Sequence, residues 1–235
     1  MLLTAVLFMA SCATSGPNHL YAAADGTVHD LGPSPKDLAE IADPGEQVLG
    51  LAYDFNTDHL FLRIAPGQVI RVIERPSGKV LREMPLPPEL RTANSADLAI
   101  RSSDRHLFAA HPDDRSVVEL TLFGAPVRRL VLAGFTDGIG GLAYDQKNDR
   151  LLLLSRTGRV GRIGPEGNVT DWVTLPATVR PVSLGYDSDL QHFFVPLAGG
   201  KTVGEFDATG KQVGTLPTGP VTALDAGPRS FVRVF

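Results

Sequence analysis

The segment Gly50-Leu-Ala-Tyr-Asp54 is the first of four gapless copies in this chain. The other three are Asp97-Leu-Ala-Ile-Arg101, Gly141-Leu-Ala-Tyr-Asp145 and Ser183-Leu-Gly-Tyr-Asp187. A second apolar run begins five residues after each copy ends, and a fifth such run opens near the N-terminus; these runs start at His19, His59, His106, Arg150 and His192. Because they recur about every 40 residues, they indicate a repeat architecture.

Each repeat continues with two further apolar or alternating stretches that a turn separates. In one repeat, residues 69–73 and 80–84 flank Pro76-Ser-Gly78. Short runs bounded by Gly, Pro, Asn and Asp are typical of strands joined by hairpins. Since no segment shows a sustained period of about 3.6 residues with helix caps, we predict four strands per repeat and little helix.

Four short strands repeated at this spacing are the pattern of a β-propeller blade. We name the strands a to d from the axis outward and predict an all-β propeller of five four-stranded blades. Strand a is expected at residues 48–54, 95–101, 139–145, 181–187 and 220–226, and the b–c–d sets at 19–42, 59–87, 106–133, 150–175 and 192–216. The last strand a would pair with the N-terminal set and close the ring, which removes two open sheet edges. Residues 230–235 do not fit this count, and a sixth, incomplete blade is the alternative.

The repeat cadence resembles that of the NHL and YVTN (YncE-like) propellers of bacterial envelopes. The shared features are the Gly-Leu-Ala-x-Asp segment and the Leu-Phe-Val-like run that follows it, and they cover nearly the whole chain after residue 17. The resemblance implies the propeller fold and says little about activity, because propellers host many unrelated functions.

The N-terminal residues have the features of a targeting segment. No charged residue precedes Asp25, and the apolar run at residues 2–10 is shorter than the ~20 residues that span a bilayer. It ends in Met9-Ala-Ser-Cys12, which resembles the lipobox of bacterial lipoproteins, with Met9 where that pattern prefers Leu. A positively charged start, usual in signal peptides, is missing. An apolar strand with a buried cysteine is the alternative.

The lipobox resemblance implies a signal peptide at residues 1–11, a lipidated Cys12, a linker at 12–17 and a propeller domain at 18–235. Two or three acyl chains would give stable anchoring, since each buried CH₂ contributes ~0.8 kcal/mol. We therefore expect a protein of the bacterial cell envelope, attached to a membrane through its N-terminal lipid. Ala13, rather than an acidic residue, favours the outer membrane and periplasm.

Composition narrows the function classes. The 235 residues carry a formal net charge of −4, which argues against a nucleic-acid partner. The single cysteine excludes a disulfide framework and a cysteine-based zinc cluster. Four histidines occupy one repeat position in different blades, so they should not gather around one metal. Asp54, Asp145 and Asp187 each end a strand a, where an Asp side chain commonly accepts N–H bonds from the following turn.

The loops that feed the inner strands are the place where polar side chains from several blades could meet a ligand. We predict a binding site at this entrance to the axial channel, formed by Gln47, Asn94, Ser95, Asp137 and Arg180. We assign no catalytic residue, metal ligand or cofactor.

The leading hypothesis is a monomeric, non-enzymatic envelope propeller that binds a protein, peptide or glycan. One alternative is a metal-dependent lactone hydrolase of the gluconolactonase type, whose resemblance implies hard oxygen ligands in the axial channel. Arg180 would repel a metal there, and the Ser-Asn-Gly motif of that family is missing. A second alternative is a glycosidase, for which Glu46 and Asp137 are the obvious carboxylate pair.

Overall fold

Five antiparallel sheets of four strands form the protein and are arranged in a ring as a β-propeller. The computed structural model describes residues 19–24, 26–32, 36–40, 45–91, 97–111 and 115–227. The innermost strands of adjacent blades contact one another around the ring, so the five sheets surround one axis.

The strands follow in order from the axis outward within each blade. Blade 1 contains β20 (Val221–Gly227), β1 (His19–Ala24), β2 (Thr27–Asp30) and β3 (Lys36–Glu40). Blade 2 contains β4 (Gln47–Asp54), β5 (His59–Ala65), β6 (Val69–Glu74) and β7 (Lys79–Pro85). Blade 3 contains β8 (Leu98–Arg101), β9 (His106–His111), β10 (Ser116–Thr121) and β11 (Pro126–Val131). Blade 4 contains β12 (Ile139–Asp145), β13 (Arg150–Ser155), β14 (Arg159–Ile163) and β15 (Val169–Thr174). Blade 5 contains β16 (Gly185–Asp187), β17 (His192–Pro196), β18 (Thr202–Phe206) and β19 (Gln212–Pro217).

Helix is almost absent from the described ranges. The only helical segment among these residues is a single 3-10 turn, Pro88–Leu90. None of the described residues forms a helix that could cross a bilayer.

The predicted five-bladed ring is confirmed, including the way it closes. β20 pairs antiparallel with β1, from His19 opposite Gly227 to Ala24 opposite Val221. The C-terminal strand thus completes the blade that the N-terminal strands begin. Residues 230–235, on which the six-blade alternative rested, lie outside the described residues.

The core consists of five apolar clusters, one between each pair of neighbouring blades. Successive side chains of a strand point to opposite faces of its sheet. In β5, Phe61 packs in the cluster shared with blade 3, while Leu60 and Leu62 pack in the cluster shared with blade 1. Both sheet faces are therefore buried, which explains why the second strand of each repeat is a continuous apolar run.

The turns that follow the inner strands confirm the role predicted for the repeated aspartates. Asp54, Asp145 and Asp187 each accept a hydrogen bond from the backbone N–H two residues later, at 2.9–3.2 Å. The fourth residue after the aspartate has a left-handed backbone in each turn, with φ near 54–59° at Asp58, Asp149 and Gln191. We call the side of the ring where the inner strands begin the top face, and the side with these turns the bottom face.

Candidate functional site: the top face, the axis and a pocket between two blades

Three of the five residues predicted to bind a ligand can be placed on the top face. Gln47 begins β4 and is exposed, Asp137 precedes β12, and Arg180 lies between β15 and β16. Asn94 and Ser95 lie outside the described residues, as does Cys12. No hydrogen bond joins any two of the three placed residues; Asp137 and Arg180 are engaged with other groups, as follows.

Each of the two carboxylates considered for catalysis is bound by an arginine. Arg71 Nη1 lies 2.9 Å from Glu46 Oε2, and Arg71 Nη2 lies 3.3 Å from Glu46 Oε1. Asp137 Oδ2 accepts bonds from Arg159 Nη2 at 2.6 Å and from Thr157 Oγ1 at 2.9 Å. The guanidinium of Arg159 holds the pKa of Asp137 below its ordinary value. Both groups are thus stabilised as anions, which does not suit a general acid.

Arg180 connects two blades across the closure of the ring. Its backbone N–H donates to the carbonyl of Pro196 at 2.7 Å, and its Nη2 donates to the carbonyl of Val221 at 2.6 Å. The first contact holds the residue to blade 5 and the second reaches the inner strand of blade 1. These backbone contacts give Arg180 a structural role at the site where a ligand contact was predicted.

A buried carboxyl group occupies the axis. Asp97 is 1% exposed, and its Oδ2 accepts the N–H groups of Leu142 and Leu184, each at 3.0 Å, and the hydroxyl of Ser183 at 2.9 Å. Burial raises the pKa of Asp97 well above its ordinary value, which favours the protonated form. One side chain of blade 3 therefore bonds to the inner strands of blades 4 and 5.

Two further side chains extend these bonds to the remaining blades. The N–H of Leu224 in blade 1 donates to Ser183 Oγ at 2.8 Å. Asp225 Oδ2 accepts the N–H of Tyr53 in blade 2 at 2.7 Å. The inward edge of an innermost strand has no neighbouring strand, so its N–H groups need such acceptors. Asp97, Ser183 and Asp225 supply them.

The backbones of blades 4 and 5 also approach closely here. A Cβ on Gly141 would lie 2.6 Å from the backbone N of Leu184 and 2.7 Å from the backbone C of Ser183. Ser183 and Leu184, which Gly141 approaches, are the same two residues of blade 5 that bond to Asp97.

Sequence reasoning missed the role of Asp97, although the alignment contained a signal. Asp97 stands at the repeat position that Gly50, Gly141 and Ser183 occupy. An acidic side chain at a position that is small in the other repeats indicates that blade 3 makes a contact there that the other blades do not make.

A cluster on blade 3 contains the residue types of a cation site, but arginines offset the negative charge that a cation would need. One oxygen each of Asp104 and Glu119 and a ring nitrogen of His106 lie within 4.8 Å of one another. Arg101 Nη2 lies 2.6 Å from oxygens of both acids, and Arg128 Nε lies 2.5 Å from Glu119. Although burial acts to raise it, hydrogen bonds from Arg128 and His106 bring the pKa of Glu119 below its ordinary value. The arginines already neutralise these acids, so the cluster is an ion-pair network.

The bottom face holds a pocket that the sequence did not predict. It lies between blades 4 and 5 and has a volume of about 230 Å³. Its polar lining includes Arg150, Arg162, Tyr186 and Gln191, and its apolar lining includes Leu152 and Phe193. These six residues come from β13, β14, β16, β17 and the turn before β17, and β12 and β15 also contribute to the lining.

Comparisons with known proteins identify the fold but no family. The chain matches no family model and no curated protein. A structure of the nidogen/laminin complex is similar with a TM-score of 0.62 and 13% identity, covering 88% of this chain and 97% of that chain. For virginiamycin B lyase from Staphylococcus aureus, the TM-score is 0.51 and the identity 16%, and the match covers 82% of this chain and 63% of the lyase. For glutaminyl cyclase from Myxococcus xanthus, the TM-score is 0.55 and the identity 17%, and the match covers 73% of this chain and 70% of the cyclase. At such low identity these similarities show the β-propeller fold alone.

Proposed function

We propose that this protein is a non-enzymatic binding propeller that presents the outer strands of blades 2 and 3 to a protein partner. The observation that carries the proposal is the distribution of exposed large apolar side chains. Five of the seven among the described residues belong to these two neighbouring blades: Val80, Leu81, Phe123, Val127 and Val131. Exposed apolar groups concentrated in one region are typical of interaction sites.

We call these five residues the apolar rim, and Phe123 is the most exposed of them. It is 77% exposed at the turn before β11, although a phenyl ring gains free energy from burial. The guanidinium of Arg82 in β7 lies 5.0 Å from the ring centroid and donates to the carbonyl of Leu122. Phe123 of blade 3 therefore sits directly beside the outer strand of blade 2.

The outer strands also offer hydrogen-bonding groups. β7 and β11 are each the last strand of a sheet, so one edge of each has no paired strand. An edge strand can bind an extended segment of another chain through its backbone. Apolar side chains beside such an edge favour a protein partner over a glycan.

Catalysis lacks comparable support among the described residues. The solved structures with this fold include a lyase, a cyclase and a protein–protein complex, so the fold does not choose between enzyme and binding protein. Glu46 and Asp137, which the glycosidase hypothesis needs, are each engaged by an arginine. The lactone hydrolase hypothesis gains no oxygen-ligand set on the described part of the top face.

Site-specific photo-crosslinking in the producing cell tests the proposal. A photoreactive amino acid replaces Phe123 in one variant and Val213 in a control; Val213 is 49% exposed on β19 of blade 5. We expect one discrete adduct with another protein from position 123 and none from position 213. Equal adducts from both positions, no adduct from position 123, or an adduct only with a second copy of this chain would contradict the proposal.

A further inference from the structure

Blade 4 departs from its neighbours at two repeat positions that line the pocket between blades 4 and 5. In blades 1, 3 and 5, a histidine that begins the second strand pairs with an acid on the third: His19 with Asp30 at 2.9 Å, His106 with Glu119 at 2.6 Å and His192 with Glu205 at 2.7 Å. The register places Arg150 and Arg162 at these positions in blade 4. A histidine and an acid are thus replaced by two arginines.

Blade 5 departs from the repeat on the other wall of the same pocket. In blades 2 and 4, a tyrosine hydroxyl donates to the aspartate five residues later: Tyr53 to Asp58 at 2.9 Å and Tyr144 to Asp149 at 2.7 Å. Tyr186 occupies the tyrosine position in blade 5, and Gln191 replaces the aspartate. The hydroxyl of Tyr186 makes no hydrogen bond to another described residue. An anionic group is therefore missing here, and a hydroxyl donor lines the pocket.

The two acids near the pocket leave one cation unpaired. Asp145, which lies opposite Arg150 in the pairing of β12 with β13, is buried. Its carboxylate accepts bonds from the backbone N–H groups of Lys147 and Asn148 and from the side-chain amide of Asn148. Asp171 forms an ion pair with Arg162 at 2.9 Å, and this acid is 60% exposed, so the pair is weak. Arg150 forms no ion pair or hydrogen bond with a described residue.

The remaining walls define the size and character of a ligand. The apolar part of the lining includes Leu152, Val160 and Phe193, which are at most 7% exposed, and the half-buried Val173. The volume of about 230 Å³ exceeds the ~150 Å³ of an engineered protein cavity that binds benzene. The space therefore admits a molecule with one ring and a small polar substituent.

We propose that this pocket binds a small organic carboxylate with an aromatic or apolar body, comparable in size to benzoate. Arg150 and Arg162 would bind the carboxylate, which guanidinium groups recognise well. Tyr186 and Gln191 would donate further hydrogen bonds, and the apolar wall would contact the body. This inference does not depend on the apolar rim, which involves other blades.

The first experiment is a nuclear magnetic resonance titration of the full chain with benzoate, acetate and inorganic phosphate. We expect benzoate to bind with a dissociation constant of about 1 mM, which corresponds to modest efficiency for nine non-hydrogen atoms. Acetate and phosphate should bind about tenfold more weakly, because they lack an apolar body. If phosphate binds as tightly as benzoate, or if benzoate causes no titrating shift up to about 20 mM, the proposal is wrong.

Substitutions in the pocket test the role of each group. Arg150→Gln should weaken benzoate binding about tenfold, as expected when a charge-assisted bond is lost. Asp171→Asn releases Arg162 from its ion pair and should tighten binding about two- to fivefold. Asn tolerates the left-handed backbone of Asp171, whose φ is 54°.

The control is Arg105→Gln, which removes the same charge from the bottom face at another blade. Arg105 is exposed at the repeat position of Gln191, and both residues have φ near 60°, so glutamine suits this turn. Binding of benzoate to this variant should be unchanged. If Arg105→Gln weakens binding as much as Arg150→Gln, benzoate responds only to net charge, and no pocket site exists.

Discussion

Asp97 and Asp225 show how one buried carboxyl group can bond to the backbone of other blades. A buried carboxylate is unfavourable unless donors surround it. Here the donors are N–H groups on the inward edges of strands from other blades. The turn role of Asp54 was predictable because its partner lies two residues away. The role of Asp97 was not, because its partners lie 45 and 87 residues further along the chain.

The buried carboxyl of Asp225 should make the stability of the fold depend on pH. Burial raises the pKa of Asp225 to about 7 from an ordinary value of 3.8. Between these two values the folded state binds more protons than the unfolded state, so the free energy of unfolding should fall as pH rises. The decrease from this group is at most about 1.4 kcal/mol per pH unit, and it ends once the pH passes the folded-state pKa.

Urea unfolding at pH 5, 6, 7 and 8 measures this dependence. Asp225→Asn should flatten the decrease between pH 5 and 7, because the side chain no longer titrates. Burial also raises the pKa of Asp97, so part of the decrease in unfolding free energy with pH should remain in this variant. An unchanged slope in Asp225→Asn would show that Asp225 does not titrate in this range.

The twenty strands were predictable because each repeat carries the same alternation of apolar runs and turns. What could not be predicted was how closely the innermost strands approach. Gly141 lies in β12, as predicted, but the sequence does not show that it lies against the backbone of blade 5. That contact depends on the distance between strands of two blades, and the repeat pattern in the sequence gives no such distance.

Gly141→Ala should destabilise the fold. Its new Cβ would lie 2.6–2.7 Å from backbone atoms of Ser183 and Leu184, so the inner strands of blades 4 and 5 would have to separate. We expect a loss of about 1–3 kcal/mol, the usual cost of overpacking, measured from urea unfolding curves.

Gly67→Ala is the matched control for this substitution. The nearest atom to its Cβ would be 3.7 Å away, and its φ is not in the left-handed region. This variant should be neutral or more stable by up to about 1 kcal/mol. Equal stability of the two variants would mean that blades 4 and 5 have room for a side chain at position 141.

The number of blades and the closure of the ring followed from counting repeats, and both are confirmed. The pocket between blades 4 and 5 did not follow, because it depends on residues that differ between repeats and meet across two blades. In the sequence, Arg150 shows only that an arginine replaces the histidine of the other repeats. The role proposed for Arg150 also requires Arg162, and only the pairing of β13 with β14 shows that the two arginines lie near each other.

Attachment to a membrane is the remaining prediction about how the protein is held in the cell. If Cys12 carries lipid, a Cys12→Ala variant should move from the membrane fraction to the soluble fraction after cell lysis. Circular dichroism of both forms should give the same strand-rich spectrum, because Cys12 precedes the first strand of the propeller. Retention of Cys12→Ala in the membrane fraction would contradict lipid anchoring at this residue.

The pairing of β20 with β1 imposes an order on how the protein can be made. Blade 1 has three of its strands from the first forty residues but receives its innermost strand only when residues 221–227 emerge. Until then, the edge of β1 is unpaired and the apolar cluster between blades 5 and 1 lacks Val221 and Leu224. A nascent chain must therefore keep its earliest strands available until residues 221–227 are synthesised, and a truncation before residue 221 would leave an open ring with an exposed strand edge.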